Sequence, residues 1–291
     1  MTASQIQTAL LLLMLIGFAG MEFLTRRYQN TVHATANDTK LELFMFLSLL
    51  AITQPLAMVV TAQLGAWLAP GYQGALADWP WWAMVGLLLV LDDMTQYWWH
   101  RASHTSLLWP LHRAHHSAEY MSIRVTFRNN FFYYLMMPGL WFAGILLFLG
   151  LDGLTYALYG VVKLTVIVGA HCAWRWDEPL LRRPALRPLM WVLERTISTP
   201  ATHWAHHAIT NEDGVGHYKG NFGNLLFVWD ILFGSAKITR QYPPKVGLID
   251  DQLFGQEQWQ HQMFYPLLQS SREHSALRFG GKIYDEHEQV N

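Results

Sequence analysis

The chain has 291 residues, 52% of them hydrophobic and only 14% charged, with 14 Trp, 12 Tyr and 15 Phe and a formal net charge of −1. Near-neutral charge excludes nucleic acid as a partner, and the single cysteine, Cys172, excludes an internal disulfide, a cysteine-rich zinc site and an iron–sulfur cluster. What remains is the composition of a membrane protein with aromatic residues suited to the bilayer interfaces.

Apolar runs near 6–24, 41–68, 81–99, 131–150 and 154–171 each approach or exceed the ~20 residues a helix needs to cross a bilayer. The first lacks a basic leader and runs into Glu22 and Arg26 rather than a small-residue cleavage site, so it reads as a retained anchor. The second is long and contains Pro55, which predicts a tilt or kink. The expected fold is all-α, a polytopic membrane bundle of about five spans with a cytoplasmic helical cap.

Basic residues orient this bundle. Arg26, Arg27 and Lys40 lie between the first two runs, and Arg101, Arg113, Arg124 and Arg128 follow the third, whereas 69–80 and 151–153 carry none. The amino terminus is expected outside and the carboxyl terminus inside, which in a bacterium means the inner membrane with the site facing the cytoplasm. Residues 1–80 then form anchor helices, 81–236 a catalytic domain and 237–291 a cytoplasmic tail that closes the site and is mobile from about 270.

The third run ends in LDDMTQYWWHRASH, where Asp93, Tyr97, His100 and His104 form one helical stripe. Two more clusters follow on short helices. His112, His115 and His116 lie after Pro110, and His203, His206 and His207 lie after Thr199 and Pro200, residues suited to a helix cap and first turn. Between them come His171, at the end of the fifth run, and the Arg- and Trp-rich segment 174–198, which reads as interfacial structure or as an amphipathic helix packed on the cap.

Spacings of three and four put imidazoles on a common helical face, so these nine histidines predict a metal site, and two metals rather than one. Without metal, packing them together would bury ring nitrogens lacking partners, at about 1–3 kcal/mol each. A carboxylate on a membrane helix faces a cavity or a partner. Asp93 therefore either accepts an imidazole N–H and fixes that ring's tautomer or makes a polar contact to another helix.

DDMTQYWWHRASH, LHRAHHSAEYMSIRVTFRN and HWAHH followed by NFGNLLFVWDILFG resemble, in text and order over about 81–236, the fatty acid hydroxylase and sterol desaturase superfamily of integral membrane di-iron oxygenases. The resemblance implies that His100, His104, His112, His115, His116, His171, His203, His206 and His207 are ligands to two iron ions, and that the enzyme hydroxylates or desaturates a lipid with O2 and reducing equivalents. Asn221 and Asp230, in the matching NFG and WD text, are expected to shape the turn and brace the site. The chain departs from relatives that carry a second histidine four residues after the intermediate one, since Arg175 stands there, and Ala173 replaces an asparagine common in that segment. His217 lies outside the motifs and reads as a surface histidine, and Cys172 as a packing residue.

Imidazoles suit iron or zinc. Zinc, an ion such a donor set can carry as purified, has no accessible redox change and cannot oxidise an unactivated C–H bond, so an oxygenase here requires iron. The sequence has no dinucleotide-binding turn, haem attachment or ferredoxin-type cysteine run, so electrons are expected from a separate ferredoxin, cytochrome or reductase. Basic patches on the inner face could dock an acidic carrier, in which case activity would depend on ionic strength. The competing readings are a desaturase with the same site, a zinc-dependent lipid hydrolase, and a metal transporter or sensor. Transporters hold ligands near the bilayer midplane, whereas these lie at helix ends.

Overall fold

The computed structural model describes residues 2–27 and 34–281. Over these residues the protein is helical, with two isolated β-bridges, Ile197 to Leu226 and Ala208 to Val246, and no strand. Reciprocal capping starts the first two helices: Thr2 with Gln5 opens α1 (Ala3–Leu24), and Thr35 with Asp38 opens α2 (Ala36–Ser48). A π turn, Leu49–Thr53, joins α2 to α3 (Gln54–Leu68). Pro55 explains that turn: it cannot donate to the carbonyl of Ala51, and its ring would press on it, so the helix widens ahead of it rather than breaking.

A second π turn, Leu89–Met94, joins α4 (Trp81–Leu88) to α5 (Thr95–Ser103). After α6 (Trp109–His116), α7 (Phe131–Leu135) and α8 (Pro138–Phe148) share the fourth apolar run, and α9 (Gly153–His171) is the fifth. The loops at one end of the bundle are stitched together, Gly74 N–H to the carbonyl of Phe148 at 3.2 Å and Leu76 N–H to that of Leu149 at 2.6 Å. Small residues let the helices approach closely. Gly153, Gly160 and Gly169 of α9 lie against Ala3, Gln7 and Phe18 of α1, and Gly65 of α3 against Phe148 of α8. These contacts make α1, α4–α5 and α9 run toward the histidine end and α2–α3 and α8 away from it.

The protein is a polytopic membrane bundle. Among the described residues, Ala3–Leu24, Ala36–Leu68, Phe131–Phe148 and Gly153–His171 are long and apolar enough to cross a membrane. The third expected span is helical from Trp81 to Ser103 and is not among these, because Asp92, Asp93, Gln96, His100 and Arg101 lower its hydropathy. Both aspartates are buried among the neighbouring helices.

The cap comprises α10 (Glu178–Leu181), α11 (Arg187–Thr196), α12 (Pro200–His206), α13 (Val228–Leu232), α14 (Ile249–Phe254) and α15 (Trp259–Phe264). Thr199 caps α12 with Pro200 in its first turn, and Pro110 stands in the first turn of α6, as their sequences predict. Within 174–198, α11 leaves Leu189, Trp191 and Val192 about half exposed while Met190 and Glu194 are buried.

The C-terminal segment is built into the cap. Arg113, fully buried on α6, pairs with Asp250 at 2.7 Å and Asp251 at 2.6 Å, and Arg272 also reaches Asp251 at 3.2 Å. Mobility expected from about 270 is not found over 270–281, where Ser270, Ser275, Ala276 and Leu277 are buried and Glu257 accepts hydrogen bonds from both serines. Residues 282–291, the rest of that expected tail, lie outside the described residues.

Candidate metal centre

The nine predicted ligands converge from the C-terminal parts of α5, α6, α9 and α12 and divide into two groups. His100, His104, His112, His116 and His206 form one, and His115, His171, His203 and His207 the other, each with its ligand nitrogens within 4.8 Å of one another. The spacing explains the division. On α6 the i, i+4 pair His112 and His116 faces the first group, while His115, about 100° round the helix from its neighbour, faces the second. On α12 the assignment reverses: His203 and His207 face the second group and His206 the first. An HxxHH segment therefore serves two points rather than one. The groups share a wall, His116 stacking on His207 with ring centroids 4.4 Å apart.

Hydrogen bonds at the far side of the rings fix what faces inward. Nδ1 of His100 donates to the carbonyl of Phe222 at 2.7 Å and that of His206 to Gly220 at 2.7 Å. In the second group, Nδ1 of His115 donates to Arg128 at 3.0 Å and that of His171 to Ile167 at 2.8 Å. A carbonyl only accepts, so each of these rings carries its proton on Nδ1 and presents a lone pair at Nε2. Yet Nε2 of His100 lies 3.0 Å from Nε2 of His206, and Nε2 of His115 lies 3.2 Å from Nε2 of His171. Facing lone pairs repel unless a cation lies between them. Separations near 3 Å are those of adjacent ligands around one ion at metal–nitrogen distances of about 2.0–2.1 Å.

The other rings agree. His104 Nε2 is buried with no hydrogen-bond partner, and Nε2 of His203 lies 2.9 Å from His171 and 3.1 Å from His207. Burial holds His112, His115, His116, His203, His206 and His207 well below their ordinary pKa, so they remain neutral ligands. The donor set fits two metal ions.

The loop 220–226 sets the tautomers of the first group. Asn221 has a left-handed backbone with φ 55°, and its side chain bridges the carbonyls of Thr202 and Lys237 and the N–H of Lys237. Asp230 accepts from the N–H of Phe222 at 2.8 Å and of Gly223 at 2.6 Å. The Gly223 amide turned to Asp230 leaves the Phe222 carbonyl aimed at His100, and the Asn221 amide, donating to the carbonyl of Ser235 at 2.9 Å, leaves the Gly220 carbonyl aimed at His206. A Cβ at Gly223 would sit 2.7 Å from that carboxylate, so glycine is required there.

Asp93 takes the second of its two readings. It accepts from the N–H groups of Leu225 at 3.3 Å and Leu226 at 3.2 Å and from Trp229 Nε1 at 2.8 Å, and not from an imidazole. Its effect on His100 passes through this loop. His217 is outside both groups, its Nε2 donating to the carbonyl of Ser235 at 3.1 Å, and Cys172 is buried packing beside His171. Arg175 lies over the rings of Trp204 and Tyr242, 4.6 and 4.1 Å from their centroids, and so stacks where some relatives would ligate.

Several supports escaped the sequence reading. Glu22, near the C-terminal end of α1, accepts from Ser122 Oγ at 2.9 Å, Ile123 N–H at 3.0 Å and Ala173 N–H at 2.8 Å, tying the segments around His171. Arg128, whose carbonyl holds His115, is itself fully buried and bound to Asp38, to the carbonyl of Ala114 and to Ser117 Oγ. A carboxylate ending an apolar helix was the available signal for Glu22; for Arg128 and Asp38, 90 residues apart, there was none.

A cavity of about 510 Å³ runs from this centre into the bundle. His100, His112, His115 and His171 close its inner end, and Leu49, Leu140, Ile167, Tyr133, Tyr134 and Met137 are among its walls.

Comparison with known proteins accords with this geometry. Residues 85–235 match the Fatty acid hydroxylase family. The chain is 28% identical over 161 residues to the alkylglycerol monooxygenase of Danio rerio and 27% identical over 173 residues to that of Xenopus tropicalis. The matched segments cover 54% and 55% of this chain but only 30% and 31% of those relatives. No solved structure matches. With the family's sequence spanning both histidine groups and the loop that orients them, this chain belongs to the fatty acid hydroxylase family.

Proposed function

We propose that the protein is a membrane di-iron oxygenase that hydroxylates a lipid, drawing O2 and electrons from outside the chain. The observation that carries this is the pairing of four Nδ1-protonated histidines Nε2 to Nε2, in two separate groups, at the end of an apolar cavity within the bundle. Family membership and the two monooxygenase relatives support the same reading. His100, His104, His112, His116 and His206 would hold one iron and His115, His171, His203 and His207 the other. Bound there, iron supplies the redox chemistry that activates O2 for insertion into a C–H bond, which zinc cannot.

The protein's own part is to position and to exclude water. The Gly220 and Phe222 carbonyls keep His206 and His100 in the ligating tautomer, and the Arg128 carbonyl does so for His115. The α14–α15 segment packs over α2 and α6 and closes the cap side. The lipid enters the cavity from the bilayer, and its chain is held against the imidazoles of His100, His112, His115 and His171.

The test is mass spectrometry of total lipids from aerobic cells expressing wild type or His206→Ala under ¹⁸O2. A lipid gaining one labelled oxygen only with wild type establishes the hydroxylase and identifies its substrate. Loss of two hydrogens without label makes the enzyme a desaturase. No lipid change from protein that contains zinc and hydrolyses lipids would overturn the oxygenase reading.

A further inference from the structure

The cavity below the histidines has a polar station in its wall. Asp92 precedes His100 by eight residues and Lys163 precedes His171 by eight, so helical rise sets both about 12 Å below the imidazoles. Lys163 Nζ donates to Asp92 Oδ2 at 2.6 Å, and the Tyr159 hydroxyl donates to the same oxygen at 2.9 Å. Both side chains of the pair are nearly buried, 11% and 12% exposed, and both line the cavity. Adjacent residues on a helix point about 100° apart, so Asp92 faces the cavity while its neighbour Asp93 faces the 225–229 loop.

Hydrogen-bonding capacity remains open around this pair. Lys163 has further N–H donors beyond the one given to Asp92, and Asp92 Oδ1 accepts from no group among the described residues. Gln96, one turn above Asp92 on the line to His100, also borders the cavity, and its buried Oε1 has no partner. A purely apolar occupant would leave that amide oxygen desolvated and unpaired, which is costly in a low-dielectric interior.

We infer that Asp92, Gln96 and Lys163 form a subsite for an uncharged oxygen function on the lipid, a hydroxyl or ether oxygen, while the chain it carries runs up to the histidines. This deepens the lipid hydroxylase reading and rests on it. The pair is formally neutral, so a carboxylate would meet Asp92 and an ammonium would meet Lys163, each unfavourable in this setting. An ether oxygen accepts from Lys163 Nζ, and a hydroxyl can in addition donate to Gln96 Oε1 or Asp92 Oδ1. Holding the oxygen at a fixed depth below the metal centre sets which carbon reaches it.

The test uses the full-length, iron-loaded protein in detergent, with retention of four probes measured by native mass spectrometry: hexadecane, hexadecan-1-ol, hexadecyl methyl ether and palmitate. Wild type should hold the alcohol and the ether about tenfold more tightly than hexadecane, the worth of one hydrogen bond to a charged group. The alcohol exceeding the ether would assign the acceptor role to Gln96 or Asp92. The double variant Asp92→Asn, Lys163→Met should lose the preference and keep hexadecane binding. Gln96→Leu, which leaves the ion pair intact, should lose the alcohol's advantage over the ether and decides the matter if the double variant does not fold. Equal retention of hexadecane and both oxygenated probes by wild type, or tightest retention of palmitate, would overturn the inference. Iron content and O2 uptake are read on the same samples: the preference without iron or O2 uptake sinks the oxygenase reading and leaves the subsite standing, and iron with O2 uptake but no preference does the reverse.

Discussion

Nε2 of His100 and Nε2 of His206 stand 3.0 Å apart, each ring having committed its proton to a backbone carbonyl of the same loop. The proposed two-metal site predicts metal-dependent stability as well as metal binding. Purified protein should contain two metal ions per chain, and His206→Ala, which removes a ligand of the first group only, should retain about one. Metal analysis checks this, and undiminished metal in the variant would contradict the division. Chelation should lower the thermal midpoint of wild type.

The loop that fixes these tautomers should matter nearly as much as the ligands. Asp230→Asn replaces one of the two oxygens that hold the Phe222 and Gly223 amides, and is expected to lower metal affinity and activity about 10- to 100-fold with the helices intact. Asp93→Ala leaves the Leu225, Leu226 and Trp229 N–H groups unpaired, at about 1–3 kcal/mol each, and should act in the same direction. Circular dichroism together with bound-metal measurements separates this from global unfolding.

Acid should release the metal and weaken the fold together. His112, His116, His203 and His207 bind protons less readily when folded than the ordinary value of 6.5, because burial disfavours the charged ring. The unfolded chain therefore takes up more protons below that value. Their stabilisation is complete above about pH 6.5 and is lost as pH falls below it. Thermal midpoint and retained metal should both decline from pH 7 to pH 5; a flat profile would contradict this.

Arg113→Met leaves Asp250 and Asp251 beneath α6 with the part-exposed Arg272 alone, so the cost approaches but does not reach the about 3–5 kcal/mol of breaking a buried pair outright. The expected result is release of the 249–281 segment, seen as new protease cleavage there with the membrane helices still protected. Unchanged cleavage would mean that apolar packing, such as Met263 against Leu41, Met45 and Leu111, suffices.

The proposed topology places the 69–77 loop outside and the 211–213 loop inside. Cys172 is buried, so single cysteines introduced by Ala77→Cys and Glu212→Cys report without background. In intact cells an impermeant maleimide should label the first and not the second. The opposite pattern would invert the orientation, and labelling of both would change the number of spans.

The sequence by itself determined the all-helical membrane character and singled out the nine histidines that the fold brings together, because hydrophobic run length and i, i+3 and i, i+4 spacing act within single helices. It also placed the cap at Thr199 and the first-turn Pro110, and marked Asn221 and Asp230 as bracing residues. Only the tertiary structure decided the division into five and four ligands, since a helix shows which rings share its face but not what that face meets. The same holds for the two aspartates: adjacent residues on a helix point about 100° apart, and only the packing shows that Asp93 meets the loop behind the site and Asp92 the cavity. Glu22, Arg128 and the buried Arg113 cluster were out of reach for a related reason. Each is stabilised by partners 90 to 151 residues away or more locally by backbone carbonyls, and a charge becomes a brace only when folding removes the water that would otherwise solvate it.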